Sequence, residues 1–392
     1  MRTLCLMFAI AMSGLGQASA AQSPAPQLPP YTAAYQPTSV DERGWWMEAD
    51  EDERRLRDSP LVIRDEALNA YVHRVLCTTV GADRCRGVRI YIAEVPAFNA
   101  NMAPNGTMRV WSGLLLRVQN EAELGAVLGH EFAHYELRHT LAAFKRARTA
   151  TDIMSWAAVL GGLAGVNTTL LQWSIIGSFY RFNRDQEQQA DLLGLKYLTS
   201  SPYSAAAAST LWQHIMAEQD ATRVGRKRKP HQRYSAGFFD THPTELNRAA
   251  YLKEAAAKAG DSSNELAANG HRLAMAKYLP SFLEAQIKLN DFGGTEYLIA
   301  QLASTGGWTG DLLYARGELY RTRGNPRDLI SAAQFYGDAI KTGYSAPEAR
   351  RGLGLSLLRS GQATGGKAAL NEYLRLKPDA SDAKAISALT AN

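Results

Sequence analysis

Residues 120–139 read NEAELGAVLGHEFAHYELRH, and the rest of the chain is best understood outward from them. Asn120 can cap a helix, with Glu123 at the third helical position as in a capping box, so a helix is expected from about Glu121 to Phe144. On a helix, residues four apart share a face, so His130 and His134 can hold one metal ion between them. Glu131 is displaced round the helix and is poorly placed to ligate the same ion, but it can reach water beside it. Zinc suits this pattern because it accepts four ligands and leaves one position to water. A metal there would acidify water toward a pKa of ~7, and Glu131 could take the proton as a carbonyl is attacked. His139 follows His134 by five residues, which on one continuous helix turns it elsewhere, so it is read as structural.

Two histidines do not complete a site. Glu187 and Asp191 lie four apart in a later helical stretch, 183–198. Spacing leaves two readings open. Glu187 could complete a His, His, Glu set with Asp191 orienting a ligand imidazole, or the pair could be a charged solvent face.

Ahead of the metal helix, Val88–Ile92 alternates and is β-branched, Asn105-Gly106 signals a hairpin turn, and Met108–Trp111 reads as the next strand. Helices are expected over Asp41–Asp58, Leu61–Cys77 and 246–258. Ile153–Tyr180 is strongly apolar, yet glycines and Asn167-Thr168-Thr169 interrupt it. Each uninterrupted piece is shorter than the ~20 residues that cross a bilayer, so two short buried or interfacial helices are expected; a peripheral membrane contact stays open. Beyond residue 265 the texture becomes helical pairs. Gly317, Tyr320, Gly324, Ala332 and Tyr336 recur 37 positions later as Gly354, Leu357, Gly361, Ala369 and Tyr373. This is similar to tetratricopeptide or Sel1-like α-hairpin repeats.

The N-terminus carries Arg2, an apolar run from Leu4 to Met12 and the small-residue site Ala18-Ser19-Ala20, the pattern of a secretory signal peptide. Export would leave Cys77 and Cys85, which are expected to pair in an oxidising compartment. The net charge of +5 is mild for 392 residues. The basic run 223–233 reads as a solvated loop or a contact for acidic headgroups, and it lacks the aromatic interleaving of a nucleic-acid site. The expected organisation is a signal peptide over 1–20, a flexible leader and entry segment over 21–55, a peptidase domain over 56–260 and a repeat domain over 265–392. The expected class is α+β but mostly α, with a small antiparallel sheet in the first domain.

Several ordered motifs together resemble the HtpX-like and CAAX-prenyl-endopeptidase-type zinc metallopeptidases. They are Asn99-Ala100, Gly113-Leu114-Leu115, Glu123-Leu124, the His-Glu-x-x-His and Arg138-His139, then Arg184 with Glu187 and Asp191, then Asp240-Thr241-His242-Pro243 and Arg248. The resemblance spans roughly Leu61 to Leu252. It implies that His130, His134 and Glu187 ligate one zinc ion, that Glu131 is the catalytic base, and that Asp191 supports a ligand. Arg248 would neutralise a site carboxylate or orient His242, and His242 would contact the oxyanion or occupy a zinc position at rest. It also implies substrate added as a strand, for which Thr107–Ser112 is the expected edge. With a signal peptide and repeats, the chain is similar to the periplasmic BepA-like branch. That implies an endopeptidase of unfolded or misassembled exported polypeptide, with the repeats facing outer-membrane assembly machinery. Two other readings are a chaperone or scaffold with a latched or vestigial zinc site, and a hydrolase of a lipid or cell-wall amide.

Overall fold

The computed structural model describes residues 28, 31, 33–150, 182, 184–230, 246–259 and 266–391. The expected signal peptide, the apolar stretch Ile153–Tyr180 and His242 lie outside the described residues.

Among the described residues the protein is mostly helical around one small sheet. Helix α1 is Val40–Asp58, α2 Glu66–Val80 and the short α3 Ala82–Cys85. The sheet is β1 Arg89–Ala93, β2 Ala100–Met102 and β3 Thr107–Trp111. Its order is β1-β3-β2, with β1 parallel and β2 antiparallel to β3. This corrects the expected antiparallel sheet, which is mixed, and the expected edge strand, since β3 is central. The Asn105-Gly106 turn does make a hairpin, with Gly106 at a φ of 91°, but it joins β3 to the three-residue β2. The strand ends at Trp111, because Ser112 begins α4, Ser112–Arg117. Gly113 sits where a Cβ would come 2.2 Å from the Pro96 carbonyl oxygen, so any side chain there would push α4 away from the Pro96–Ala97 segment that follows β1.

Helix α5 is Glu121–Glu136. Asn120 accepts the Glu123 amide hydrogen at 2.8 Å, and the Glu123 carboxylate reaches back one residue further, to the Gln119 amide at 2.7 Å. The expected continuous helix to Phe144 is interrupted. Leu137 closes α5, Arg138 takes a left-handed φ of 57°, and α6 runs from His139 to Ala150. A non-glycine residue there costs about 1 kcal/mol; the Arg138 guanidinium lies over the Tyr35 ring at 4.4 Å, within cation–π range.

Helices α7, Arg184–Thr199, and α8, Ala207–Gly225, complete the surroundings of α5. Close approach of α5 to its neighbours needs small residues. A Cβ on Gly125 would meet the Thr79 hydroxyl at 2.5 Å, and one on Gly194 would meet the His130 backbone at 3.2 Å. Helix α9 is Leu246–Ala259.

The remaining helices are α10 Leu266–Met275, α11 Leu279–Lys288, α12 Phe292–Gly306, α13 Gly310–Arg323, α14 Pro326–Lys341, α15 Pro347–Arg359, α16 Ala363–Leu376 and α17 Ala383–Ala391. Helices α13 and α14 pack as a pair, as do α15 and α16. Gly324 and Gly361 end the first helix of each pair in the left-handed region, at φ 71° and 85°. The buried Tyr336 ring fills the space left by Gly317 and Gly352, where a Cβ would stand 2.8 Å and 2.3 Å from it. No helix among the described residues is long and apolar enough to cross a membrane.

One apolar cluster extends from Leu68 to Leu319, so α10 to α13 share the core that surrounds α5. Buried polar contacts stitch the same seam. Arg117 donates to Glu218 on α8 at 2.6 Å and to Gln286 on α11 at 3.0 Å. His271 on α10 accepts from the Tyr71 hydroxyl at 2.8 Å and donates to the Leu115 carbonyl at 3.1 Å. Burial pushes the His271 pKa down to about 4, against the pull of the Leu115 and Val118 carbonyls and Glu121. An unfolded histidine titrates near 6.5. Between these values the unfolded chain takes up a proton that the folded protein refuses. The His271 contribution is therefore complete above pH ~6.5 and falls by about 3 kcal/mol as pH drops through ~4. Urea unfolding of wild type and His271→Gln across that window should show a shallower pH slope in the variant; parallel curves would refute the account.

Candidate metal centre

The centre is built from α5, α7 and α9. His130 and His134 project from one face of α5, and Glu187 meets them from α7. Their side chains are 5%, 1% and 3% exposed. The two imidazole Nε2 atoms are 3.0 Å apart, and the Glu187 carboxylate lies 3.5 Å from each. One donor atom from each of the three falls within 4.8 Å of the others.

The surroundings fix how these donors face. The His130 Nδ1 lies 3.0 Å from the Asp191 carboxylate. That partner holds the proton on Nδ1 and leaves the Nε2 lone pair toward His134 and Glu187. Arg248 on α9 spans both acids, at 2.7 Å from each Asp191 oxygen and 3.0 Å from Glu187. Tyr251 also donates to Asp191, and the Arg248 guanidinium lies 5.3 Å over the Trp212 ring. Burial opposes charge on Asp191, but Arg248 and His130 hold its carboxyl well below the usual range. Burial likewise opposes charge on His130, yet the Asp191 and Glu187 carboxylates outweigh it and raise its pKa to about 10. The negative charge of these two carboxylates would favour a divalent cation, which must displace the proton on the His130 Nε2 to bind. Two imidazoles and a carboxylate, buried and converging, fit zinc.

Glu131 is buried beside His130 on α5, at 1% exposure. Asp191 lies against His130, and Arg248 lies against the two carboxylates. His139 does not. The break at Arg138 swings it back, and its Nδ1 lies 2.9 Å from the His134 Nδ1. The sequence offered no glycine or proline to signal that break. Phe182, which the reading also passed over, stacks on His134 with centroids 3.8 Å apart and planes at 17°. Tyr251 has no signal in spacing, since its reach to Asp191 depends on how α9 packs.

A second cluster of possible donors, His73, Cys77 and Cys85, is of another kind. Its two sulfurs are bonded to each other in a Cys77–Cys85 disulfide, which leaves no thiolate to ligate.

The model of peptidase family M48 matches residues 62–256. This interval contains the sheet, α5, α7 and the Arg248 clamp. The chain belongs to peptidase family M48. It is 28% identical over 187 residues to a mitochondrial metalloendopeptidase OMA1 of Schizosaccharomyces pombe, covering 47% of this chain and 52% of that one. It is 27% identical over 217 residues to a putative beta-barrel assembly-enhancing protease of Vibrio cholerae, covering 52% and 42% respectively. It is 28% identical over 173 residues to the metalloprotease LoiP of Escherichia coli, covering 42% and 61%. The chain thus spans about half the length of the curated relatives it matches.

Proposed function

We propose that the protein is a zinc-dependent endopeptidase of exported polypeptides, acting in envelope protein quality control. The observation that carries this is the buried convergence of His130, His134 and Glu187, with Glu131 adjacent on the same helix. His130, His134 and Glu187 would hold the ion; Asp191 and His139 would orient the imidazoles, and Arg248 would balance the excess carboxylate charge. A zinc ion there supplies Lewis acidity, activating water and polarising a carbonyl. Glu131 takes the proton from the attacking water and returns it to the leaving amine.

Substrate is taken as an extended strand, on β2 rather than on β3. β3 has both sides paired, whereas β2 pairs only with β3 among the described residues and packs against α5. Backbone pairing of this kind selects for unfolded chain more than for sequence. Export rests on the signal-peptide pattern of residues 1–20 and on the Cys77–Cys85 bridge, and the name of the Vibrio cholerae relative supports a place near outer-membrane assembly. In this reading residues 265–392 are tetratricopeptide or Sel1-like repeats that dock the enzyme to that machinery or deliver substrate. His242 keeps the role the resemblance gives it, as oxyanion contact or resting ligand.

The test is cleavage of reduced, unfolded casein by the purified protein. Cleavage should stop on treatment with 1,10-phenanthroline and return with added zinc, while a folded, disulfide-bonded control stays intact. Cleavage indifferent to the chelator, or none by the zinc-loaded protein, would overturn the proposal.

A further inference from the structure

His139 is 4% exposed, and its two ring nitrogens face two different partners. Its Nδ1 lies 2.9 Å from the His134 Nδ1, and its Nε2 lies 3.2 Å from the Gln189 Oε1 on α7. The pair of Nδ1 atoms can share one proton, so the line from Gln189 through His139 to His134 has two polarities. In one, the Gln189 carbonyl accepts from the His139 Nε2–H, the bare His139 Nδ1 accepts from the His134 Nδ1–H, and the His134 Nε2 presents a lone pair. In the other, the Gln189 amide is reversed and donates, His139 donates to His134, and a neutral His134 carries its proton on Nε2. Only the first leaves His134 able to ligate. The Gln189 oxygen faces His139, which is the first polarity.

We propose that His139 and Gln189 are a positioning pair that holds His134 in its ligating tautomer, as Asp191 does for His130. The proposal rests on the metal-centre reading of His130, His134 and Glu187. It also gives the turn at Arg138 a purpose. On an unbroken helix His139 would stand about 140° round from His134, and the left-handed residue brings it back over the ring. The two ligand histidines are then supported in different ways, His130 by a charged carboxylate and His134 by a neutral relay. The relay adds no further negative charge to a site that already buries Glu187 and Asp191.

The experiment measures zinc affinity by chelator competition and, in the metal-free protein, the imidazole 15N shifts of His134. Partners of this kind are worth about 10- to 100-fold in metal affinity. His139→Leu should weaken zinc by that factor and remove the Nδ1-protonated signature of His134. His139→Asn places an amide oxygen near the lost Nδ1 and should recover most of the affinity. Gln189 is at the surface, so its variants keep the test open should His139→Leu fail to fold. Gln189→Glu, which can only accept, should retain both readouts, and Gln189→Leu should lose part of each. Zinc affinity in His139→Leu within about threefold of wild type, against the 10- to 100-fold expected, would overturn the proposal. So would a His139→Asn variant no better than His139→Leu, or 15N shifts of His134 that none of these changes moves. A wild-type protein that binds no zinc, or a His134→Ala variant that binds it undiminished, would overturn the metal-centre reading as well.

Discussion

Glu131→Gln is expected to reduce casein cleavage at least about a hundredfold, while zinc content and the unfolding curve stay as in wild type. The substitution keeps the size and hydrogen-bonding outline of the side chain and removes its ability to take a proton. A general base of this type contributes about 10² to 10⁴ in rate. The loss should fall on kcat, with KM little changed, because the carboxylate acts on the attacking water and not on substrate pairing along β2. Full-length casein should co-purify with the variant and not with wild type. A variant within about tenfold of wild type, short of the hundredfold minimum, would take Glu131 out of the mechanism; one that had also lost its zinc would make it a structural residue of the centre.

The second large effect is expected at Arg248. Arg248→Met preserves most of the aliphatic volume but withdraws the guanidinium from Asp191 and Glu187, whose side chains are both 3% exposed. Breaking a buried pair in this way costs about 3–5 kcal/mol, because the carboxylates stay behind without their counter-charge. That loss should be seen in urea unfolding of the metal-free protein. A bound divalent cation replaces part of the missing positive charge, and it stabilises whichever folded form binds it. The gap between variant and wild type should therefore narrow when zinc is added. Equal stability of the two metal-free proteins would show that Arg248 does not carry the charge balance of the centre.

The metal helix was legible because its chemistry is local. His130 and His134 are fixed relative to each other by helical geometry alone, and Glu131 goes with them. Glu187 and Asp191 were a matter of spacing until the ordered motifs around them were compared with a known family; α7 packing on α5 then places them. The sheet was read less well. Asn105-Gly106 announces a hairpin but not which strand it pairs, and β2 has only three residues, too few for an alternation to show. The parallel pairing of β1 with β3 is set by packing over the whole domain. His139 was misplaced for a different reason. The left-handed turn at Arg138 runs against local preference, and it is held by tertiary contacts such as the Tyr35 ring, which no window on the sequence contains.

The seam between α2 and α4 on one side and the helices that follow residue 265 on the other bears on what counts as a unit in this molecule. Tyr71, Leu115 and Arg117 all reach across it, to His271 and Gln286. A chain shortened to the interval that matches the family would bare the apolar side of α8 and strip the Tyr71 hydroxyl and the Leu115 carbonyl of their partners. Such a fragment would expose apolar surface and unpaired polar groups that the whole chain keeps buried. The unit that closes this core is bounded by packing and not by a segment of sequence, so grafting or trimming should follow the shared core out to Leu319.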